Sequence, residues 1–237
     1  MIKFFTKIRR NALQEGNSMK YLQYAIGEIL LVMIGILLAL QVNNWNEERK
    51  NEKFEQEILA LLDQNLESDS ILLTAELTKT EMAIELTDRL LDQIARKNYS
   101  DSLNFWMARI ISFERFKSQS SAFEVLKSKG IENISDKRLQ ILLMSYYEEN
   151  LFMLYESLND VLASFNTDWI PIIKSDFSDF KWREYHQPND AKAFFEKPTT
   201  KVLFKIYKDN RAGQLRKMKS SLRSISEIRK QINQYIR

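Results

Sequence analysis

The feature that most limits this chain is an unbroken apolar run, Ile29 to Leu40, inside a longer, mostly apolar stretch from Tyr21 to Val42. As a helix, a span of about 22 residues rises about 33 Å, against a bilayer hydrocarbon core of about 30 Å. Basic residues precede it: Lys3, Lys7, Arg9, Arg10 and Lys20, opposed by Glu15 alone. Mixed charge follows: Glu47, Glu48, Arg49, Lys50, Glu52 and Lys53. The positive-inside bias therefore predicts a cytoplasmic N-terminus and the bulk of the chain outside. Tyr21 and Tyr24 fall where an inner aromatic belt would lie, and Trp45 where an outer one would. A cleaved signal peptide would need small residues at both cleavage positions, and no such pair is apparent after Ala39. A buried core helix would leave the flanking charge asymmetry without a cause. No later stretch reads as a second span, because Leu139 to Ala163 is interrupted by Glu148, Glu149 and Asn150.

A carboxylate stands at the start of the run. At about 100° per residue, Glu28, Gly35, Ala39 and Asn46 fall on one stripe of a helix, with Val32 and Asn43 beside it. Gly35 and Ala39 form a small-xxx-small pair, which lets two helix backbones approach closely. An ionisable group within a span is costly and faces protein or water. Two readings stay open. In one, Glu28, Gly35, Ala39 and Asn43 dock a second transmembrane helix, a copy of this chain or another protein. In the other, Glu28 lies near the inner headgroups and the small residues are incidental. A lone carboxylate is a poor start for a proton relay.

Beyond the span the chain reads as all-α. Five glycines and three prolines in 237 residues are too few for the turns of a sandwich or barrel. From Asn46 to about Lys97 apolar positions step by three and four: Ile58, Leu62, Leu66, Leu73, Leu77, Ile84, Leu91, Ile94. Asn98 to Ser102 breaks that pattern, and a short helix is expected around Leu103 to Phe116. Ser121 with Glu124 reads as a capping box for a helix ended by Gly130, and Ser135 as the cap of the next long helix. A final helix carries Leu215, Met218, Leu222, Ile225, Ile232 and Ile236 on one face. It is strongly basic, whereas the helix after the span is acidic on balance, so first and last helices should be neighbours in an elongated antiparallel bundle of about four helices. The expected division is a basic amphipathic segment at 1–20, a transmembrane helix at 21–42 and an extracytoplasmic bundle at 43–237. Within the last, residues 169–198 read as an aromatic-rich loop.

Scattered glycines make no phosphate loop. Without cysteine there is no disulfide or thiolate metal site, and one histidine is a poor basis for zinc. The sequence therefore points to no metal, cofactor or catalytic residue, and a net charge of +3 gives no reason to expect nucleic acid. A carboxylate site remains conceivable where Asp176, Asp179, Glu184 and Asp190 surround His186. Trp169, Trp182, Tyr185 and His186 are candidates for a contact surface, with Lys181 and Arg183 beside them. The alternative is that these aromatics fold back to cap the bundle core. The basic last helix could touch anionic headgroups rather than the acidic helix.

The stretch YAIGEILLVMIGILLALQVNNWNEERK, the opening MIKFFTKIRR and the later SSAFEVLKSKGIENISDKRLQILLMSYYEE resemble a family of uncharacterised single-pass membrane proteins of Gram-negative bacteria. The resemblance implies an inner-membrane helical protein with a periplasmic domain, and it brings no catalytic residues. The expected role is a non-catalytic interaction, scaffold or sensor-associated module, in contact with lipid and with its own copy or another transmembrane protein. The alternative is a membrane-anchored enzyme using the 176–190 residues.

Overall fold

A computed structural model describes residues 18–235. Residues 1–17, which make up most of the expected amphipathic segment, and Ile236 lie outside the described residues. The described residues are all-α apart from one small hairpin, and the chain divides into two units between Phe54 and Glu55.

Helix α1 (Ser18–Ala95) runs through that division without a break. Neither proline nor a glycine pair interrupts it, which agrees with the uninterrupted pattern in the sequence. In the first unit its apolar side chains point outward with nothing packed on them: Ile29 is 60% exposed, Leu37 60% and Val42 64%.

In the second unit the same helix becomes the wall of a core. Ile58, Leu59 and Leu86 are buried, and a seam of buried positions runs through Leu62, Leu66, Asp69, Leu73, Glu76, Thr80, Ala83, Thr87, Leu90 and Ile94. These alternate in steps of four and three, the 3.5-residue period of a coiled-coil seam. Lys97, in a left-handed conformation (φ 56°), follows the end of α1. Helix α2 (Ser102–Ile111) leads into an extended segment through Ser120. Helix α3 (Ser121–Lys129) stops at Gly130, whose φ of 106° excludes ordinary side chains.

A second rod follows from three contiguous helices: α4 (Lys137–Met144), α5 (Leu151–Ser164) and α6 (Ile170–Asp176). Two π-helical turns join them, Ser145–Asn150 and Phe165–Trp169. In the first turn, adjacent Tyr146 and Tyr147 are both buried. Pro171 lies in α6 directly after the second π turn.

Both expected caps shift by one residue. Ser120 occupies the N-cap of α3 without a side-chain cap bond, while Ser121 Oγ accepts from Asn65 at 3.3 Å. Asp136, not Ser135, caps α4, accepting from the Arg138 N–H at 2.8 Å. Ser135 instead donates through N and Oγ to Glu55 Oε1, at 2.7 and 2.8 Å.

Residues 169–198, read from sequence as a loop, are largely regular. Trp169 ends the second π turn; β1 (Phe177–Lys181) and β2 (Tyr185–Pro188) pair antiparallel, with Phe180 opposite His186; α7 (Ala191–Glu196) follows. The turn between the strands lacks glycine and is closed by Arg183 at φ 65°. A non-glycine residue there is uncommon, which is why the hairpin carries no recognisable turn signature.

Helix α8 (Pro198–Tyr235) closes the bundle and packs closely along α5. Its buried seam, Thr200, Phe204, Tyr207, Arg211, Gln214, Met218, Ser221, Ile225, Ile228 and Ile232, has the same four-three spacing as α1. The two helices run antiparallel, shown by Arg229 Nε on Asp63 (2.8 Å), Lys219 on Glu81 (2.7 Å) and Lys208 on Asp88. The acidic and basic helices are thus neighbours, as their charges predict. Each exposed pair contributes at most about 1 kcal/mol, so they set register more than stability.

Candidate ligand pocket

The two seams meet with polar residues in the middle. Glu76 (4% exposed) and Arg211 (2%) face each other with 3.8 Å between Glu76 Oε1 and Arg211 Nη1. Arg211 donates to the carbonyls of Ser112 and, at 3.4 Å, Ile110, and to Gln214 Oε1 at 3.2 Å. Its guanidinium lies 5.4 Å from the Tyr207 ring centroid. Glu76 Oε1 accepts from the Glu114 N–H at 3.3 Å. Burial pushes the Glu76 carboxyl above the usual carboxylate range, opposed by that N–H and by Arg211. Several atoms of this layer have no hydrogen-bond partner in the protein: Glu76 Oε2, Thr80 Oγ1, Arg211 Nε and Gln214 Nε2. Such groups are rare in folded proteins and each calls for a reason.

A cavity of about 210 Å³ opens beside this layer, lined by Glu76, Lys79, Met82, Arg109, Ser112, Phe113, Glu114 and Arg183. Four elements build it. Helix α1 supplies the Glu76, Lys79 and Met82 wall, α2 supplies Arg109, the extended segment supplies Ser112 to Glu114, and the hairpin turn supplies Arg183. Glu114 is held by Lys79 at 2.9 Å and Arg183 at 2.5 Å, and these two cations keep its carboxyl below the usual range. The Arg109 side chain is exposed and makes no hydrogen bond or ion pair among the described residues.

A second polar anchor lies about two turns earlier on α1. Asp69, fully buried, accepts from Ser118 Oγ, from the Gln119 N–H at 2.9 Å and from Tyr146 Oη at 3.3 Å. It ties the extended segment and the second rod to the first helix. Burial raises its carboxyl pKa, and the three donors oppose the shift.

The residues singled out in the sequence fall elsewhere. Glu28, Gly35, Ala39 and Asn43 are exposed on α1 in the first unit, and a Cβ added at Gly35 would meet open space. Trp169 is fully buried against Phe204 (4.9 Å) and Tyr207 (6.0 Å). His186 is fully buried too, stacked on Phe180 at 4.2 Å with Phe177 edge-on at 6.5 Å. Trp182 and Tyr185 are half-buried, Trp182 packing edge-on against Phe113 and Phe165. The carboxylates near His186 in sequence each have another partner. Asp176 takes Lys197 (2.7 Å), Asp179 takes Tyr185 Oη (2.5 Å), Glu184 takes Lys181 (2.7 Å), and Asp190 caps α7. Neither ring nitrogen of His186 has a partner, so no carboxylate is joined to it. Among the described residues, no three His, Asp or Glu side chains converge as a metal set.

Residues 28–164, more than half of the chain, match a family of unknown function (DUF6090). The chain belongs to that family. No curated protein and no solved structure matches it. The DUF6090 match begins at Glu28 and takes in Glu76, Lys79, Arg109 and Glu114 of the pocket; Arg183 and Arg211 lie beyond its end.

Proposed function

We propose that this DUF6090 protein is a single-pass inner-membrane protein whose helical domain lies in the periplasm and acts as a non-catalytic interaction or sensor-associated module. The observation that carries the reading is the first unit's α1, a helix long and apolar enough to span a bilayer whose apolar side chains have nothing packed on them. Leaving so much contiguous apolar surface in water is costly at about 25 cal/mol per Å². Lipid covers most of it, and a second helix seats on the stripe of Glu28, Gly35, Ala39 and Asn43, either in a homo-oligomer or in another transmembrane protein. The basic flank places the N-terminus in the cytoplasm.

The absence of native cysteine makes the test direct. Asn43→Cys in intact cells is expected to react with a membrane-impermeant maleimide and to remain in the membrane fraction after alkaline extraction. Oxidation is expected to link it as a dimer, while Gln41→Cys on the opposite helix face stays monomeric. Asn43→Cys that is inaccessible from outside, or released by alkali, would refute the topology. Accessible cysteine that never crosslinks would refute self-association and leave a different partner for the stripe.

A further inference from the structure

We infer that the groove between α1 and the extended segment after α2 is a docking site for an acidic peptide segment in extended conformation, with apolar side chains between its carboxylates. The inference rests on the interaction reading above and names its class of partner. Two cavities, of about 210 and about 430 Å³, adjoin here and share Glu76, Lys79 and Glu114 in their walls. Five exposed cations line them: Lys79, Arg109, Arg115, Lys117 and Arg183. Against these stands Glu114, half-buried and held between Lys79 (2.9 Å) and Arg183 (2.5 Å). The other carboxylate, Glu76, is buried and faces Arg211. Arg109, Arg115 and Lys117 make no side-chain hydrogen bond or ion pair among the described residues. The whole chain carries a net charge of only +3, so the groove is a local concentration of positive charge. Helix α8 is also basic, but it answers its charge within the fold, through Arg229 on Asp63, Lys219 on Glu81 and Lys208 on Asp88.

The groove also has apolar walls. Leu72 (49% exposed) and Ala75 line the larger cavity, and Met82 (45% exposed) and Phe113 the smaller. Guanidinium and ammonium groups at the rim suit carboxylates, and exposed apolar side chains beside them suit apolar anchors. A phosphate or sulfate polymer would use the cations and leave Leu72, Ala75 and Met82 without contacts. A neutral apolar segment would bury the walls and leave the cations facing one another. From Leu72 to Met82 helix α1 rises about 15 Å, the length of about five residues of extended chain. Alternation of acidic and apolar residues over that length presents both kinds of side chain to the groove.

The test is fluorescence-anisotropy titration of the full chain, in neutral detergent micelles, against the rhodamine-labelled peptide Gly-Glu-Leu-Glu-Leu-Asp-Gly. The peptide is expected to bind, and its amide counterpart, with Gln and Asn for the carboxylates, to bind at least about 10-fold more weakly. R115A with K117A, both exposed changes, is expected to weaken the acidic peptide by about 10-fold. L72S, on the apolar wall, is expected to weaken it by about 5-fold. K201A with K205A, which removes two equally exposed cations of α8 outside the groove, is expected to change nothing. Four results would overturn the assignment. The acidic peptide does not bind at millimolar concentration. The α8 pair costs as much as the groove pair, which makes the attraction one of general charge. A heparin hexasaccharide binds as tightly as the peptide and is lost with the same substitutions, which makes the groove a site for a sulfated or phosphorylated polymer. R115A with K117A breaks an oligomer of the full chain in sedimentation, which fills the groove with a second copy. None of these outcomes bears on the membrane topology, which the cysteine experiment reads separately.

Discussion

His186 allows a quantitative test of how the hairpin is packed. Its imidazole is fully buried between aromatic rings, neither nitrogen has a partner, and burial alone lowers its pKa from 6.5 to about 4. The neutral ring is therefore the folded form. Between pH 6.5 and 4 the unfolded chain binds a proton at this position that the folded chain does not, so stability must fall as pH falls through that window. A fall from 6.5 to about 4 is worth about 3 kcal/mol, fully present above pH 6.5 and lost by about pH 4. His186→Phe keeps a ring for Phe180 to stack on and removes no hydrogen bond. A pH-independent cost of about 1–3 kcal/mol is acceptable, because phenyl is larger than imidazole. The quantity to read is the difference in unfolding free energy between wild type and H186F, from urea melts of the full chain in micelles followed by near-ultraviolet circular dichroism. From pH 7 to pH 4 that difference should move by about 3 kcal/mol in favour of the variant. Acid groups elsewhere cancel in the subtraction. Parallel stability curves for the two proteins would refute the buried, unpartnered imidazole.

Three further outcomes test the bundle. Asp69→Ala removes the acceptor for Ser118, Gln119 and Tyr146 and should cost about 3 kcal/mol in the same urea melts, since buried donors are left unpaired. Gly130→Ala puts a Cβ against the Glu132 carboxylate and holds a side-chain-bearing residue at a φ of 106°, and should cost about 2 kcal/mol. Glu76→Leu alone strands Arg211 and should cost about 4 kcal/mol, whereas the double variant Glu76→Leu with Arg211→Leu removes the stranded charge and should recover part of that cost while staying destabilised, because the Glu114 N–H and the Ser112 and Ile110 carbonyls lose their partners; a double variant as damaged as the single one would show that the stranded charge is not the main cost.

The helical architecture was legible because apolar spacing carries it. Leu62, Leu66, Leu73 and Ile94 were read as core and are buried. Leu77, Ile84 and Leu91 were read the same way and are only half-buried. The true seam passes through Asp69, Glu76, Thr80 and Thr87, where polar side chains erase the hydrophobic period that reveals a helix face. The last helix repeats this: Leu215 and Leu222 are half-buried, and the seam runs through Arg211, Gln214 and Ser221. A strict four-three spacing of all residues, rather than of apolar ones, is the signal that could have exposed the polar layer. The pocket was not legible, since Glu76, Arg109, Glu114 and Arg183 are distant in sequence and none sits in a motif. The hairpin was missed because its turn is closed by Arg183 rather than by glycine or asparagine.

The polar layer and the pocket have one physical origin. A seam built for packing alone would place leucine or isoleucine opposite each other, and a buried ion pair is poor value for stability because two desolvation costs precede any attraction. The α1–α8 seam does this to one side of the layer, with Leu62, Leu66 and Leu73 on one helix and Ile225, Ile228 and Ile232 on the other. It departs from it where the extended segment crosses. There Arg211 holds the Ser112 and Ile110 carbonyls, and Glu76 holds the Glu114 N–H. Both polar side chains therefore fasten a strand of chain that cannot satisfy its own backbone. That fastening fixes Phe113 and Glu114 on the cavity wall and, through Glu114, Arg183 of the hairpin. It also uses only part of each group's bonding capacity, leaving Glu76 Oε2 and Arg211 Nε over. The layer thus trades full hydrogen bonding of its own side chains for a fixed path of the extended segment between the two long helices.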